Sequence, residues 1–245
     1  MENIKTNPGD PVGLETLEAL ASADRFNEWM YDTIKTFCPG PVFEIGSGIG
    51  NISSFFVRDG QTIFLSDLRP EYCDLLSKKF KGQPHLLGLE QMDLVDPLFD
   101  QKYMHLFEQF QSVYALNVVE HIEDDALAMQ NAVKLLKKGG QITILVPAFA
   151  FLFNAFDTEL GHYRRYNKKT LSALFQKTNL QITHKQYFNL PAILGWFWYG
   201  TVLKKKIIPE GPVRTYDKLV PIFKWADRLV WNQVGNTVIL VGKKN

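Results

Sequence analysis

The sequence predicts a doubly wound α/β fold built on a mostly parallel sheet, and three observations predict it. Short apolar, strand-like runs alternate with helical ones at the pitch of repeated β–α–β units. The first of those strands runs straight into a glycine-rich turn, Gly46-Ser47-Gly48-Ile49-Gly50. Polar residues of chemical interest collect where the strands end, the edge at which such sheets hold their ligands.

Element by element, Gly13 to Phe37 has helical spacing, with Leu14, Leu17, Leu20 and Ala21, then Phe26, Met30, Ile34 and Phe37, at turn-like intervals. Pro39, Gly40 and Pro41 stop it. Val42 to Ile45 is the first strand, and Ile52 to Arg58 the helix after its turn. Gln61 to Ser66 is a second strand ending at Asp67, and Pro70 suits the first turn of a helix that runs to about Phe80. Leu86 to Leu89 is a weak third strand, and Ser112 to Leu116 a fourth that ends at Asn117. Asp124 to Leu136 is spaced as a helix, with Lys137, Lys138 and Gly139 as a basic last turn and glycine stop. Gln141 to Val146, closed by Pro147, is the fifth strand, and Val238 to Val241 a late one.

Composition narrows the function. The 245 residues are 46% hydrophobic and 22% charged, which suits one sizeable folded domain. Lys and Arg number 27 against 26 Asp and Glu, a balance that argues against a nucleic-acid partner. Cys38 and Cys73 lack metal or disulfide spacing, so a reducing, cytoplasmic setting is expected. Met1 to Asp10 is polar and acidic, unlike a secretory signal. From Gln186 to Leu203 no side chain is charged, and Lys204, Lys205 and Lys206 follow. The length touches what a bilayer span needs, but Asn189, Pro191, Gly195 and Gly200 interrupt it. A pocket-forming lid is the first expectation, with peripheral membrane contact second and a true span last.

The glycine turn carries the most information. Alternate glycines let backbone pass close beneath a ligand. The spacing is GxGxG, and Asn51 stands where a dinucleotide fingerprint needs its last glycine. Glu44 opens the turn with a carboxylate, which suits a ligand bearing an ammonium group. Asp67 lies 23 residues after Glu44, at the end of the second strand, where a carboxylate can take both hydroxyls of a ribose. Met92-Asp93 follows the third strand, where an Asp suits an adenine amino group. Each has a plainer explanation: glycines for packing, Asp67 as a helix cap, Asp93 as a turn residue.

Together Glu44 to Gly50, Asp67, Asp93, Asn117-Val118-Val119-Glu120-His121 and Leu136 to Val146 resemble the class I S-adenosylmethionine-dependent methyltransferase family, over about residues 40–185. The resemblance implies S-adenosyl-L-methionine as cofactor and a seven-stranded, Rossmann-like methyltransferase sheet. It implies that Asn117 and Val118 contact the methionine part, with His121 organising that loop. Ser47, Asn51, Leu68 and Met92 complete the candidate cofactor set. Gln111 departs from the family, where an acidic residue is common.

The candidate acceptor side is Phe156 to Tyr166, after the fifth strand. The run Gly161-His162-Tyr163-Arg164-Arg165-Tyr166 resembles a small-molecule subset of these enzymes. His162 is the candidate base, with Tyr163 and Arg165 beside it in the catalytic set; an arginine could hold an acidic or phosphorylated acceptor. The competing expectation is that Arg164 and Arg165 pair with Asp157 or Glu159 to fix the loop. His121 and His162 lack metal-ligand spacing and no third ligand is evident, so no metal is expected. Phe188 to Tyr199, with Trp196 and Trp198, would cover a bulky apolar acceptor.

The expected organisation is a helical cap over 1–40, a cofactor-binding core over 41–185, an aromatic insertion over 186–235 and a final core strand over 236–245. The expected activity is methyl transfer to a small, apolar or lipid-like acceptor at a hydroxyl or carboxylate. The alternatives are a non-catalytic module of the same fold, a nicotinamide enzyme and a nucleic-acid methyltransferase. Asn51 and Glu44 disfavour the second of these; charge balance and the Asn117-Val118-Val119-Glu120 run disfavour the third. The sequence assigns no oligomeric state.

Overall fold

The computed structural model describes residues 11–205 and 210–245. The polar start, Met1 to Asp10, and Lys206 of the lysine run lie outside the described residues. The strands are β1 (Val42–Ile45), β2 (Ile63–Asp67), β3 (Leu86–Gln91), β4 (Phe110–Leu116), β5 (Leu136–Pro147), β6 (Gln181–Phe188) and β7 (Thr237–Lys243). They form one seven-stranded sheet in the order β3-β2-β1-β4-β5-β7-β6. β1 pairs in parallel with β2 and β4, β2 with β3, and β4 with β5. β7 runs antiparallel to both β5 and β6.

Alternation along the central strands explains the layers. Phe43 and Ile45 of β1 pack into one apolar cluster and Val42 into another. Val113 and Ala115 of β4 oppose Tyr114 in the same way, as Ile142, Ile144 and Val146 of β5 oppose Leu145. Strands apolar on both faces must be covered on both.

The helices are α1 (Pro11–Ala21), α2 (Asp24–Ile34), α3 (Ser53–Arg58), α4 (Pro70–Lys79), α5 (Phe99–Tyr103), α6 (Asp125–Lys134), α7 (Ala155–Glu159), α8 (Lys168–Gln176), α9 (Ala192–Trp196) and α10 (Glu210–Leu229). α2, α3, α4 and α10 cover one face through Ile34, Phe56, Leu76 and Val220. α5, α6 and α8 cover the other through Phe99, Met129 and Phe175. Strand order reverses between β1 and β4, so the crevice at their carboxyl ends is where a ligand is expected.

Three elements differ from the sequence expectation. The helix expected over Gly13 to Phe37 is two helices and a 3-10 turn (Lys35–Phe37), with non-helical backbone at Ala23. Polar side chains take the carbonyls freed at the break: Ser22 Oγ donates to Ala19 O and Asn27 Nδ2 to Leu20 O, at 2.9 and 2.8 Å. α6 ends at Lys134, and Leu136 to Gly139 are already extended, with Leu136 buried opposite Phe110. Those residues therefore start β5 rather than stop a helix, and a Cβ on Gly140 would press within 3.0 Å of the carbonyl oxygens of Lys137 and Gln111. Finally, the stretch beyond 185 contains the last residues of β6, then α9, a π-helical turn (Phe197–Val202) and α10. Among the described residues no helix is long and apolar enough to cross a membrane.

α10 is fastened by polar bonds. Asp227, buried, accepts from the backbone N–H groups of Asn189 and Leu190 at 2.6 and 2.7 Å, and Tyr216 hydrogen-bonds Asn189 Oδ1. Asp217 Oδ1 accepts from Phe26 N at 2.9 Å, joining α10 to α2. Asp227→Ala leaves two donors short of their acceptor, each worth about 1–3 kcal/mol when buried. Urea unfolding of Asp227→Ala is expected to show a clearly lowered midpoint with an unchanged slope; an unmoved midpoint would contradict this role.

Candidate active site

The cofactor side begins where β1 ends. Gly46, Gly48 and Gly50 have φ of 70°, 55° and 75°, left-handed values that L side chains rarely adopt. A Cβ on Gly46 would come 2.4 Å from Val118 Cγ2, and one on Gly48 3.0 Å from Leu17 Cδ1. The turn is therefore sandwiched between the loop after β4 and helix α1. Asn51 Nδ2 donates to Leu17 O at 3.0 Å and ties α1 down. Asp67 closes β2 beneath the turn: its Oδ2 accepts from Gly48 N at 2.8 Å and its Oδ1 from Arg69 N at 3.0 Å. Each oxygen keeps a further acceptor site. Burial holds the Asp67 carboxyl above its ordinary range. Leu68, exposed, follows directly.

Other predicted residues take different places. Glu44 alternates with Phe43 and so faces the α3 side, where its buried carboxylate accepts from Ser53 Oγ. Burial pushes its pKa up to about 7, against the bond from Ser53. Met92 packs its side chain in the core with Phe43 and Leu94, and its N–H goes to Asp67 O at 2.9 Å. Asp93 Oδ1 accepts from Val95 N at 2.9 Å, the turn role weighed for it. Ser47 N donates to Ser66 O at 2.8 Å, locking the turn to β2. Asn117, at φ 54°, is exposed at the end of β4, with its N–H on Leu145 O at 2.8 Å.

The acceptor side is organised by Asp157. The pair Asn154 and Asp157 forms a capping box at the start of α7. The Asp157 carboxylate, fully buried, is within 2.8 Å of His162 Nδ1, accepts from Arg165 Nε at 2.8 Å, and accepts from Trp196 Nε1 at 3.3 Å. Despite burial, which opposes ionisation, the bond to His162 and the Arg165 charge hold Asp157 below its ordinary value. An ionised carboxylate can only accept, so His162 Nδ1 is the donor of this bond, and in the neutral ring the lone pair is then on Nε2.

Arg165, expected in the catalytic set, has a side chain with no exposure. It pairs with Asp157, donates to Ala148 O at 2.9 Å and lies over the Trp196 ring, 4.7 Å from its centre. Its pairing with Asp157 is the loop-fixing contact weighed for it. Arg164 pairs instead with Asp125, at 2.9 Å. Tyr163 is exposed, and its N–H donates to Glu120 O at 2.8 Å.

That backbone bond joins residues 43 positions apart in the sequence and brings Glu120 beside His121 and His162, where the sequence showed no third ligand-type residue. The rings of His121 and His162 lie 4.6 Å apart at 82°. One ligand-type atom from each of Glu120, His121 and His162 lies within 4.8 Å of the others. Both carboxylate oxygens of Glu120 are buried with no hydrogen-bond partner, and burial pushes its pKa up to about 8. In the sequence Glu120 was in view only as part of a larger run, and Asp157 only as a candidate partner of Arg164 or Arg165. The signal for Asp157 was its capping-box spacing from Asn154; for Glu120 nothing local distinguished it.

A family model described as a methyltransferase domain matches residues 22–185, well over half the chain. The chain belongs to the methyltransferase domain family. Its cofactor is S-adenosylmethionine, as the glycine turn and Asp67 led the sequence to expect. The glycine cradle and the carboxylate beneath it fit that group: the turn carries no side chain at Gly46 or Gly48, and Asp67 has acceptor capacity left.

Solved structures share the fold. A methyltransferase from Archaeoglobus fulgidus is similar at 14% identity and TM-score 0.58, covering 89% of this chain and 94% of that one. Phosphoethanolamine N-methyltransferase 2 of Haemonchus contortus, in complex with S-adenosyl-L-methionine, is similar at 18% identity and TM-score 0.59, covering 88% of this chain and 52% of that one. A methyltransferase from Thermotoga maritima matches at 16% identity and TM-score 0.58, covering 94% and 95%. No curated protein sequence matches this methyltransferase.

Glu44 has a pH consequence. Its folded pKa of about 7 exceeds the ordinary 4.5, so its contribution is complete below the ordinary value and lost as pH rises through the folded one. The difference corresponds to ~3 kcal/mol in a buried site. Thermal melts of wild type and Glu44→Gln are expected to diverge between about pH 5 and about pH 8, wild type losing stability that the variant keeps. Parallel curves would show that Glu44 is ionised throughout.

Proposed function

We propose that this methyltransferase methylates an oxygen of a small, bulky, apolar or lipid-like acceptor, a hydroxyl in the first place. The observation that supports it is the His162–Asp157 pair, which keeps a basic lone pair beside Glu120 and His121, next to the loop that touches the glycine turn. S-adenosylmethionine supplies a methyl carbon already activated by its sulfonium. The protein's part is to aim the acceptor oxygen along the sulfur–methyl bond, exclude water and take a proton. His162 Nε2 accepts the hydroxyl proton, and buried Asp157 stabilises the imidazolium that results. An amine or carboxylate acceptor would not call for this pair.

Trp196 links the acceptor side to the aromatic segment, since its indole N–H bonds Asp157 while Leu194, Phe197 and Trp198 around it are exposed. α1, seated on Gly48 through Leu17, flanks the turn from the other side. These two elements are the lid over the acceptor, and their exposed apolar side chains suit a lipid-like molecule. Exposed Val202 and Leu203, followed by Lys204 and Lys205, extend that surface and suit peripheral contact with a lipid bilayer from which such an acceptor would be taken.

The test is a radiolabelled methyl-transfer assay across hydroxylated apolar acceptors and matched amines. Hydroxyl acceptors are expected to be labelled. His162→Ala is expected to lower kcat by about 10²- to 10⁴-fold with little change in KM for S-adenosylmethionine. Labelling confined to amines, with His162→Ala unaffected, would overturn the proposal. Calorimetric titration of Asp67→Ala with S-adenosylmethionine is expected to show at least tenfold weaker binding than wild type.

A further inference from the structure

Glu120 is a buried carboxylate outside the His162–Asp157 pair. Its side chain is wholly enclosed, and neither carboxylate oxygen has a hydrogen-bond partner among the described residues. A buried carboxylate left so is costly unless a proton or a cation meets it. Arg165 acts on Glu120 through its charge but makes no hydrogen bond to it: its Nε donates to Asp157, its Nη1 to Ala148 O, and its buried Nη2 has no hydrogen-bond partner.

What does approach Glu120 is a pair of imidazoles. A carboxylate oxygen and one nitrogen from each of His121 and His162 lie within 4.8 Å of one another. His162 is prepared for ligation, because its Nδ1 is 2.8 Å from the buried Asp157 carboxylate and its Nε2 is left as the donor atom. A carboxylate behind the distal nitrogen is the usual support of a metal-bound histidine. Asp157 is in turn held by Arg165, Trp196 Nε1 and Asn154 N. The loops are pinned by Tyr163 N on Glu120 O and His162 N on Asp157 O, both at 2.8 Å.

We infer that Glu120, His121 and His162 form a binding site for a divalent first-row transition ion at the acceptor end of the pocket. Two imidazoles and one carboxylate with coordination positions left open is a donor set that manganese, iron, cobalt and zinc accept. The inference rests on the proposed O-methylation and, with the ion bound, replaces His162 as the proton acceptor: the acceptor is a molecule whose oxygens, such as two neighbouring hydroxyls, bind the ion. Binding lowers the hydroxyl's pKa and its proton leaves to water. The oxygen lone pair then forms the bond to the methyl carbon as the carbon–sulfur bond breaks. Its electron pair stays on sulfur and leaves the neutral thioether. His162 then serves as a ligand, with its proton-accepting lone pair given to the ion.

The test uses chelator-treated full-length protein titrated with Co²⁺, read by visible d–d absorption, and with Mn²⁺, read by loss of the free-ion electron paramagnetic resonance signal. One ion per chain is expected. Glu120→Gln and His162→Asn, checked for folding by circular dichroism, are expected to weaken binding at least tenfold. Asp157→Asn, acting through His162, is expected to weaken it by about 10–100-fold. S-Adenosylmethionine titrations on the wild type and on Glu120→Gln are run alongside and are expected to agree. No saturable binding of either ion to wild type at millimolar concentration would overturn the inference, as would binding unchanged in both ligand variants. If the ion fails to bind while the donor binds and His162→Ala still loses activity, O-methylation stands with His162 as base. Ion binding with methyl transfer confined to amines would overturn the proposed acceptor chemistry and leave the ion site in place.

Discussion

One buried carboxylate organises the acceptor side of this protein. Asp157 has no exposed surface and ties together four elements: the start of α7, the histidine loop, Arg165 and the aromatic segment through Trp196. An ionised group in such a place is tolerated only when its neighbours donate to it from several sides. Asp157 meets that condition, and its pKa is held low by His162 and Arg165. The consequence reaches the chemistry, because the carboxylate fixes which nitrogen of His162 is left as a lone pair.

The cofactor side follows a different rule, that of close approach. Gly46 and Gly48 leave no room for a side chain because Val118 and Leu17 already occupy it. The same Val118 begins the loop whose later residues are Glu120 and His121. A short stretch after β4 thus touches the glycine turn at one end and the Asp157 loop at the other. The strand order places β1 next to β4, and β5 leads to the Asp157 loop beside them.

The parallel half of the fold was legible because its strands are apolar on both faces and end in turns with distinct chemistry. Val42 to Ile45, Gln61 to Ser66 and Ser112 to Leu116 all lie on observed strands or within a residue or two of one. β6 was not legible, since as an edge strand it alternates exposed polar residues with half-buried ones, as in Gln181, Thr183 and Lys185. α10 was hidden by Pro221 within it. On the site, Gly46, Gly48 and Asp67 were readable because their roles depend on local backbone. The burial of Arg165 and the lack of a hydrogen-bond partner for Glu120 were not readable in the sequence. Whether a charged side chain meets solvent, a partner or nothing is decided by residues far away in the chain, here Asp157, Trp196 and His162.

The most direct measurement is of the His162 ring itself, by long-range proton–nitrogen correlation spectroscopy of nitrogen-labelled, chelator-treated protein at mildly alkaline pH. The account predicts a neutral ring protonated on Nδ1, with the Nε2 resonance at the position of an unprotonated nitrogen, and loss of that preference in Asp157→Asn. A ring protonated on Nε2 in the wild type would mean that Asp157 does not set the lone pair. Neither the proton-accepting nor the ion-binding role of His162 would then survive.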